Sequence, residues 1–442
     1  MSVYRGRAVL AGILAAAGLA WAPALAVTGP EEWRLDDGTG VILVEDRRAS
    51  WAYLAVDFPI GTWSPWAREN PAREAFEIQL FDPSGALRRR ADALGVALTV
   101  KMYNRNARIF GSGLAEDFAS LADLMGSVMA NRDFDRAELQ RWRTLGNLEW
   151  DRSTREPVFM RRQAGLRSLF APHDPRRISY EPPRRVVTDP AGLLVVRDAI
   201  LRLPGRTIAI AGRVTRTEAE RALAGLVPAA EPASDVPLAP DYLPLTTSAG
   251  GTVTVEMPRL TQVYLAMVRH SIPYHDEDYP AYRVTAHVLG GHPYSRLAMA
   301  LRHDEGDTYD ASATVPGLPV PGMFRVTTFT RTANAAEVER KMGGAIARMH
   351  REGITEAEFD DAVGYLAGRR LFARQTPADE LGWLLQERRD GLPDGFFDRV
   401  ANRAAELDLT GINAFVRRFL DPAAFTTVRV VSVGEADSLL PP

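Results

Sequence analysis

Side chains able to hold a metal or move a proton are sparse in this chain of 442 residues. Its histidines are His173, His270, His275, His287, His292, His303 and His350, and it has no cysteine. The lack of cysteine excludes a thiolate nucleophile, Cys-ligated zinc or iron–sulfur centres, a disulfide framework and a lipid anchor through sulfur. Two histidines at i and i+4 share one helix face and can hold zinc. The nearest pairs here, His270 with His275 and His287 with His292, are five apart, one around a proline and the other across two glycines. They read as structural or solvated side chains. His173, in Pro172-His173-Asp174-Pro175, reads as a turn residue. No Gly-rich phosphate loop, Ser-His-Asp order or nucleotide fingerprint is present. The net charge of −3 carries no nucleic-acid footprint. Of 53 basic residues only Lys101 and Lys341 are lysines, the arginine bias of a GC-rich genome.

The elements that must position any site fall into two similar halves. Residues 1–26 read as an address: Arg5 and Arg7, an apolar run from Ala8 to Ala22, then Pro23 and an A-x-A cleavage signal at Ala24-Leu25-Ala26. The run is short of the roughly 20 residues a span needs, so a cleaved signal peptide is favoured over an uncleaved anchor, and the mature protein is expected in the periplasm. Pro228, Pro232, Pro237, Pro240 and Pro244 mark a stiff linker over 228–245. It separates residues 27–227 from 246–442. Tyr53-Leu54-Ala55-Val56 echoes Tyr264-Leu265-Ala266-Met267 at an offset of 211. The capping boxes Asp135/Glu138 and Thr355/Glu358 echo at 220, and the strands Ile208–Gly212 and Val430–Gly434 at 222. Three echoes in one order imply an α+β fold used twice. Each half should be a mainly antiparallel sheet with helices packed on one face, and the halves should face each other across a cavity. Arg88-Arg89-Arg90 reads as a solvated helix face, and Trp63, Trp66, Trp142 and Trp150 as packing or loop residues.

The chain resembles the insulinase/pitrilysin (inverzincin) family of zinc peptidases, and within it the two-subunit members akin to mitochondrial processing peptidase. In the first half the resemblance rests on Gly40-Val41-Ile42-Leu43-Val44-Glu45-Asp46, Phe58-Pro59-Ile60-Gly61-Thr62 and a helix ending Leu80-Phe81. In the second it rests on Leu289-Gly290-Gly291, Ser295-Arg296-Leu297, Leu301-Arg302, Gly306-Asp307-Thr308-Tyr309 and Pro321-Gly322-Met323-Phe324. The resemblance implies a clam-shell of two homologous halves with H-x-x-E-H on the first helix. Asn70 should cap that helix, with Pro71 in its first turn. Anchoring on Leu80-Phe81 lays the motif over Glu74-Ala75-Phe76-Glu77-Ile78. Glu74 and Ile78 then stand where the histidines should be, Glu77 stands in the general-base position, and Glu149, eight residues before Pro157, matches the third ligand. Isoleucine has no donor atom, so the motif reads as vestigial and no zinc is expected in this chain. An all-carboxylate cluster of Glu74, Glu77 and Glu149 for a harder cation is the alternative. The favoured reading has Glu74 facing solvent or pairing with an arginine.

The second half keeps its share. In two-subunit members one subunit brings zinc, and the other brings an arginine and a tyrosine that bind substrate carbonyls beside it. These positions carry over onto Arg302 and Tyr309, although His303-Asp304-Glu305 departs from the usual charge pattern between them. The resemblance therefore implies a zinc-less subunit, not catalytic alone, and the signal peptide places it in the periplasm as an expectation. Its partners would be a homologous zinc-bearing peptidase subunit and unfolded peptides. A non-enzymatic peptide-binding or scaffold protein of the same fold, and a self-sufficient peptidase with a carboxylate metal site, are the rivals.

Overall fold

The computed structural model describes residues 29–80, 84–133, 136–177, 189–224, 226, 236, 238–245, 250–302, 308, 310–372 and 375–435, and for 302, 370 and 371 the backbone alone. The expected signal peptide, the Asp135 cap and part of the linker lie outside the described residues.

The first sheet has strands β1 (Glu31–Arg34), β2 (Gly40–Glu45), β3 (Trp51–Phe58), β4 (Ala97–Met102), β5 (Ala107–Leu114) and β6 (Thr207–Gly212), in the order β1-β2-β6-β3-β5-β4. The second has β7 (Thr252–Met257), β8 (Gln262–His270), β9 (Ala311–Thr314), β10 (Met323–Arg331) and β11 (Thr426–Ser432), in the order β7-β11-β8-β10-β9. Without β1 the two orders coincide. Each sheet is antiparallel except where its last strand pairs with its first long strand, β6 with β2 and β11 with β7, in parallel. The duplicated α+β fold is thus as expected. Among the described residues no helix is long and apolar enough to cross a membrane.

Alternation along the strands sends side chains to two different cores. In the first sheet Val41, Leu43, Leu54, Val56, Ile208 and Ile210 meet that half's own helices. Ile42, Val44, Ala55, Ala209 and Ala211 face the other way and pack against Leu381, Leu384 and Leu385 of the helix Pro377–Arg389, which belongs to the second half. The exchange is reciprocal. Ala266, Val268, Met323 and Val428 of the second sheet pack against Ala164, Leu166 and Leu169 of the helix Pro157–Leu169, from the first half. Each half therefore covers its partner's sheet with one helix in addition to the helices on its own core face. Burial on both faces explains why Gly40-Val41-Ile42-Leu43-Val44 reads as a continuous apolar run. Leu384→Ala should cost about 2–5 kcal/mol, read as a lower urea midpoint. An unchanged midpoint would mean this contact contributes nothing to stability.

The glycines of the shared motifs mark close approaches. A Cβ on Gly61 would lie 2.3 Å from the backbone of Asn104 and Arg105. One on Gly290 would lie 2.5 Å from the backbone nitrogen of Ala313 in β9. Gly61 lets the loop after β3 dock on the β4–β5 turn, where the Thr62 and Trp63 amides donate to Tyr103 and Asn104 at 2.9 Å.

Candidate functional site

After β3 the chain makes one short helix, Pro65–Glu69, and then a second, Ala72–Glu77. Asn70 does not cap the second helix. Its side-chain amide donates to the Trp66 carbonyl at 3.0 Å and closes the first, and Pro71 stands at the N-cap. A proline there leaves no side-chain acceptor, so the short helix is held by burial of Ala72, Ala75 and Phe76.

Of the residues read as a vestigial motif, Glu74 and Glu77 lie on this helix and Ile78 opens the 3-10 turn Ile78–Leu80 that follows it, and each side chain has an occupation. Ile78 is fully buried in the core of the first half. Glu77 accepts from Arg73 Nε at 3.0 Å and from the Met102 backbone amide at 3.0 Å, which ties the helix to β4. Glu74 is 1% exposed and pairs with Arg143 Nε at 2.7 Å, through Oε1. Of the two fates expected for Glu74, it takes the arginine and is shielded from solvent. Its Oε2 is buried with no hydrogen-bond partner among the described residues. Glu149 is exposed, on the helix Arg136–Ser153 that also carries Arg143. Zinc does not fit this donor set. One position offers only hydrocarbon, a second is committed to a guanidinium, and a third to a guanidinium and a main-chain amide. Among the described residues no three His, Asp or Glu side chains come together as a metal site, so the three carboxylates do not form the alternative cluster. Arg302 lies at the end of the helix Arg296–Arg302, its side chain outside the description, and Tyr309 is outside the described residues.

Burial, opposed by Arg143, pushes the Glu74 carboxyl up to about 7. From its ordinary value of 4.5 up to about 7, the folded chain holds a proton that the unfolded chain has lost, so this group's contribution to stability falls as pH rises. His287 acts in the opposite sense. Burial and the neighbouring His292 push it down to about 4, so stability rises from there to 6.5. Glu74→Gln removes only the falling limb. Wild type should exceed this variant in urea midpoint by more at pH 5 than at pH 8, and a pH-independent difference would refute the perturbation of Glu74. The His287 ring itself lies between those of His292 and Tyr365, at centroid distances of 4.7 and 4.1 Å. The turn after Gly290 brings together two histidines whose spacing would separate them on a helix.

Beside the degenerate motif a cavity of about 440 Å³ opens between the halves. The first half contributes Trp63, Arg73, Asn104, Glu149, Trp150, Phe159, Arg162 and Arg176, and the second contributes Pro316–Leu318, Gly322, Met323 and Arg325 around the β9–β10 connection. Trp150 and Phe159 meet edge to face at 5.6 Å. Arg176 is locked by Asp174 at 2.7 Å and stacks over Phe170, 4.6 Å from the ring centre. It also donates to the Leu243 carbonyl at 2.6 Å, which pins the described end of the linker to the first half. Sequence reasoning found Glu149 and passed over Arg162, Arg176 and Arg325. A resemblance to a known motif was the only available signal, and these three belong to none.

Residues 201–366 match the family model described as the peptidase M16 inactive domain. Over that stretch the chain is similar to the M16 inactive domain. The match spans the junction of the halves and the helix on which Arg302 lies. It agrees with the peptidase family read from the sequence. Solved structures carry the same fold over nearly the whole chain. A peptidase M16 inactive domain from Pseudomonas fluorescens superposes with a TM-score of 0.77 at 19% identity, covering 92% of this chain and 99% of that one. A protease from Helicobacter pylori gives 0.77 at 12% identity, covering 91% and 99%. The periplasmic protease PqqL from Escherichia coli gives 0.71 at 14% identity. That superposition covers 98% of this chain and 48% of PqqL. Comparison with curated proteins finds no match.

Proposed function

We propose that this chain is the zinc-less, periplasmic subunit of a two-subunit M16-type peptidase. Its first half completes a chamber wall, and its second half lends Arg302 and Tyr309 to the zinc site of a homologous partner. The observation that carries this reading is the closed donor set at the helix Ala72–Glu77 and the turn after it, with Ile78 in the core and Glu74 held by Arg143. A donor set that does not fit zinc, beside a cavity walled by both halves, supports a subunit that leaves the metal to a partner. Zinc is expected in the partner, and no step of this proposal runs through a metal held by this chain. Unfolded peptides suit a cavity walled by both halves, because a folded protein is too large to enter it.

Purification from the producing organism tests the proposal. The expected companion is an M16 chain with an intact H-x-x-E-H helix, and peptide hydrolysis is expected only when both are present. Hydrolysis by the isolated chain, with a stoichiometric ion and chelator sensitivity, would overturn it. Peptide binding without cleavage in every pairing would establish the scaffold reading instead.

A further inference from the structure

The cavity between the halves carries more positive charge than its own structure uses. Among the described residues four guanidinium groups line it, those of Arg73, Arg162, Arg176 and Arg325, against the single carboxylate of Glu149. Arg73 is neutralised by Glu77 and Arg176 by Asp174. Arg162 and Arg325 have no hydrogen bond or ion pair among the described residues, and Glu149 reaches neither within 4.0 Å. Arg325 sits on β10 on the same face as Met323, the face that receives the helix Pro157–Leu169. Arg162 is on that helix. Two cations from opposite halves thus converge on one cavity, and Arg325 is held below the ordinary guanidinium range by burial and by the charge of Arg162. Like charges brought together without a counter-ion oppose folding. Such an arrangement is retained where an anion completes it. Guanidinium forks match carboxylates in shape and charge. The volume lies within the range of about 300–1,000 Å³ typical of ligand pockets, and the rings of Trp150 and Phe159 supply apolar walls.

We infer that this cavity binds peptides through a carboxylate, an Asp or Glu side chain or a free C-terminus, held between Arg162 and Arg325. The inference rests on the peptide-binding reading above and adds the substrate class. The test uses the mature chain alone and fluorescence anisotropy with three labelled octapeptides. One has two central glutamates and an amidated C-terminus, one has central glutamines and a free C-terminus, and one has glutamines and an amide. At least one carboxylate peptide should bind about tenfold or more tightly than the neutral one, and whichever does identifies the source of the anion. R162Q and R325Q should each lose about tenfold for that peptide, and E149Q should tighten it. R325Q should melt no lower than wild type, since it removes a half-buried charge that has no counter-ion among the described residues. If R325Q fails to fold, R162Q, on an exposed position, carries the test. Equal binding of all three peptides would overturn the carboxylate site and leave peptide binding standing. No binding of any peptide would overturn both for the isolated chain.

Discussion

Asp390→Ala should destabilise the mature chain by about 3–5 kcal/mol, the usual cost of removing one member of a buried charge pair. Asp390 follows the helix Pro377–Arg389, the one that the second half lays on the first sheet. Its side chain is fully buried. It pairs with Arg105 of the β4–β5 turn at 2.6 Å and accepts from the hydroxyl of Tyr274. Arg389 stands 3.5 Å from Asp390 and 3.9 Å from Asp57. Asp57 in turn accepts from Arg108 and Asn106, each at 2.7 Å. One carboxylate therefore joins a turn of the first half to a tyrosine of the second. Burial and this carboxylate push the Tyr274 phenol well above its ordinary value, so it remains a donor at all physiological pH. Alanine leaves Arg105 without its counter-charge at the junction and Tyr274 without its acceptor. Urea unfolding measures the loss, and the Arg105→Gln/Asp390→Asn double-mutant cycle separates the pair from the rest of the network. A change below about 1 kcal/mol, the range of an exposed pair, would show that the network does not fasten the halves.

Under the proposed function, Arg302→Ala and Tyr309→Phe should each slow turnover of the assembled peptidase by about a hundredfold or more. A guanidinium is permanently charged and presents a fixed fork of donors, and a phenol offers one directed hydrogen bond. Donors aimed at charge that develops on a carbonyl oxygen are worth about 3 kcal/mol each, because they act where the ground state has little charge to reward. The loss should fall on kcat and on kcat/KM together, with KM little changed. Steady-state kinetics on the purified pair of subunits checks this, with the urea midpoint of each variant as the fold control. Full turnover in both variants would remove these two residues from the reaction, whatever the partner.

Much of the fold was legible before any coordinates. Runs such as Gly40–Val44 and Thr252–Met257 are β-prone over one strand length. Their repetition in the same order with the same intervening helices is a property of the string. That position 78 offers a metal no side-chain ligand was equally legible, since the isoleucine side chain is hydrocarbon only. The cap at Asn70 was misread because side-chain acceptors serve whichever helix end is nearer, and two short helices meet there. Other features came only from the tertiary structure. A strand buried on both faces shows no alternation, so nothing in the first sheet announced that one face waits for Leu381 and Leu384 from the far half. The pairing of Glu74 with Arg143, and the meeting of Arg162 with Arg325, join side chains on separate elements in a chain that has an arginine at about every ninth position. Residue type sets what a side chain is able to do. Which neighbour neutralises it, or leaves it free for a ligand, is decided by long-range packing that local spacing does not encode.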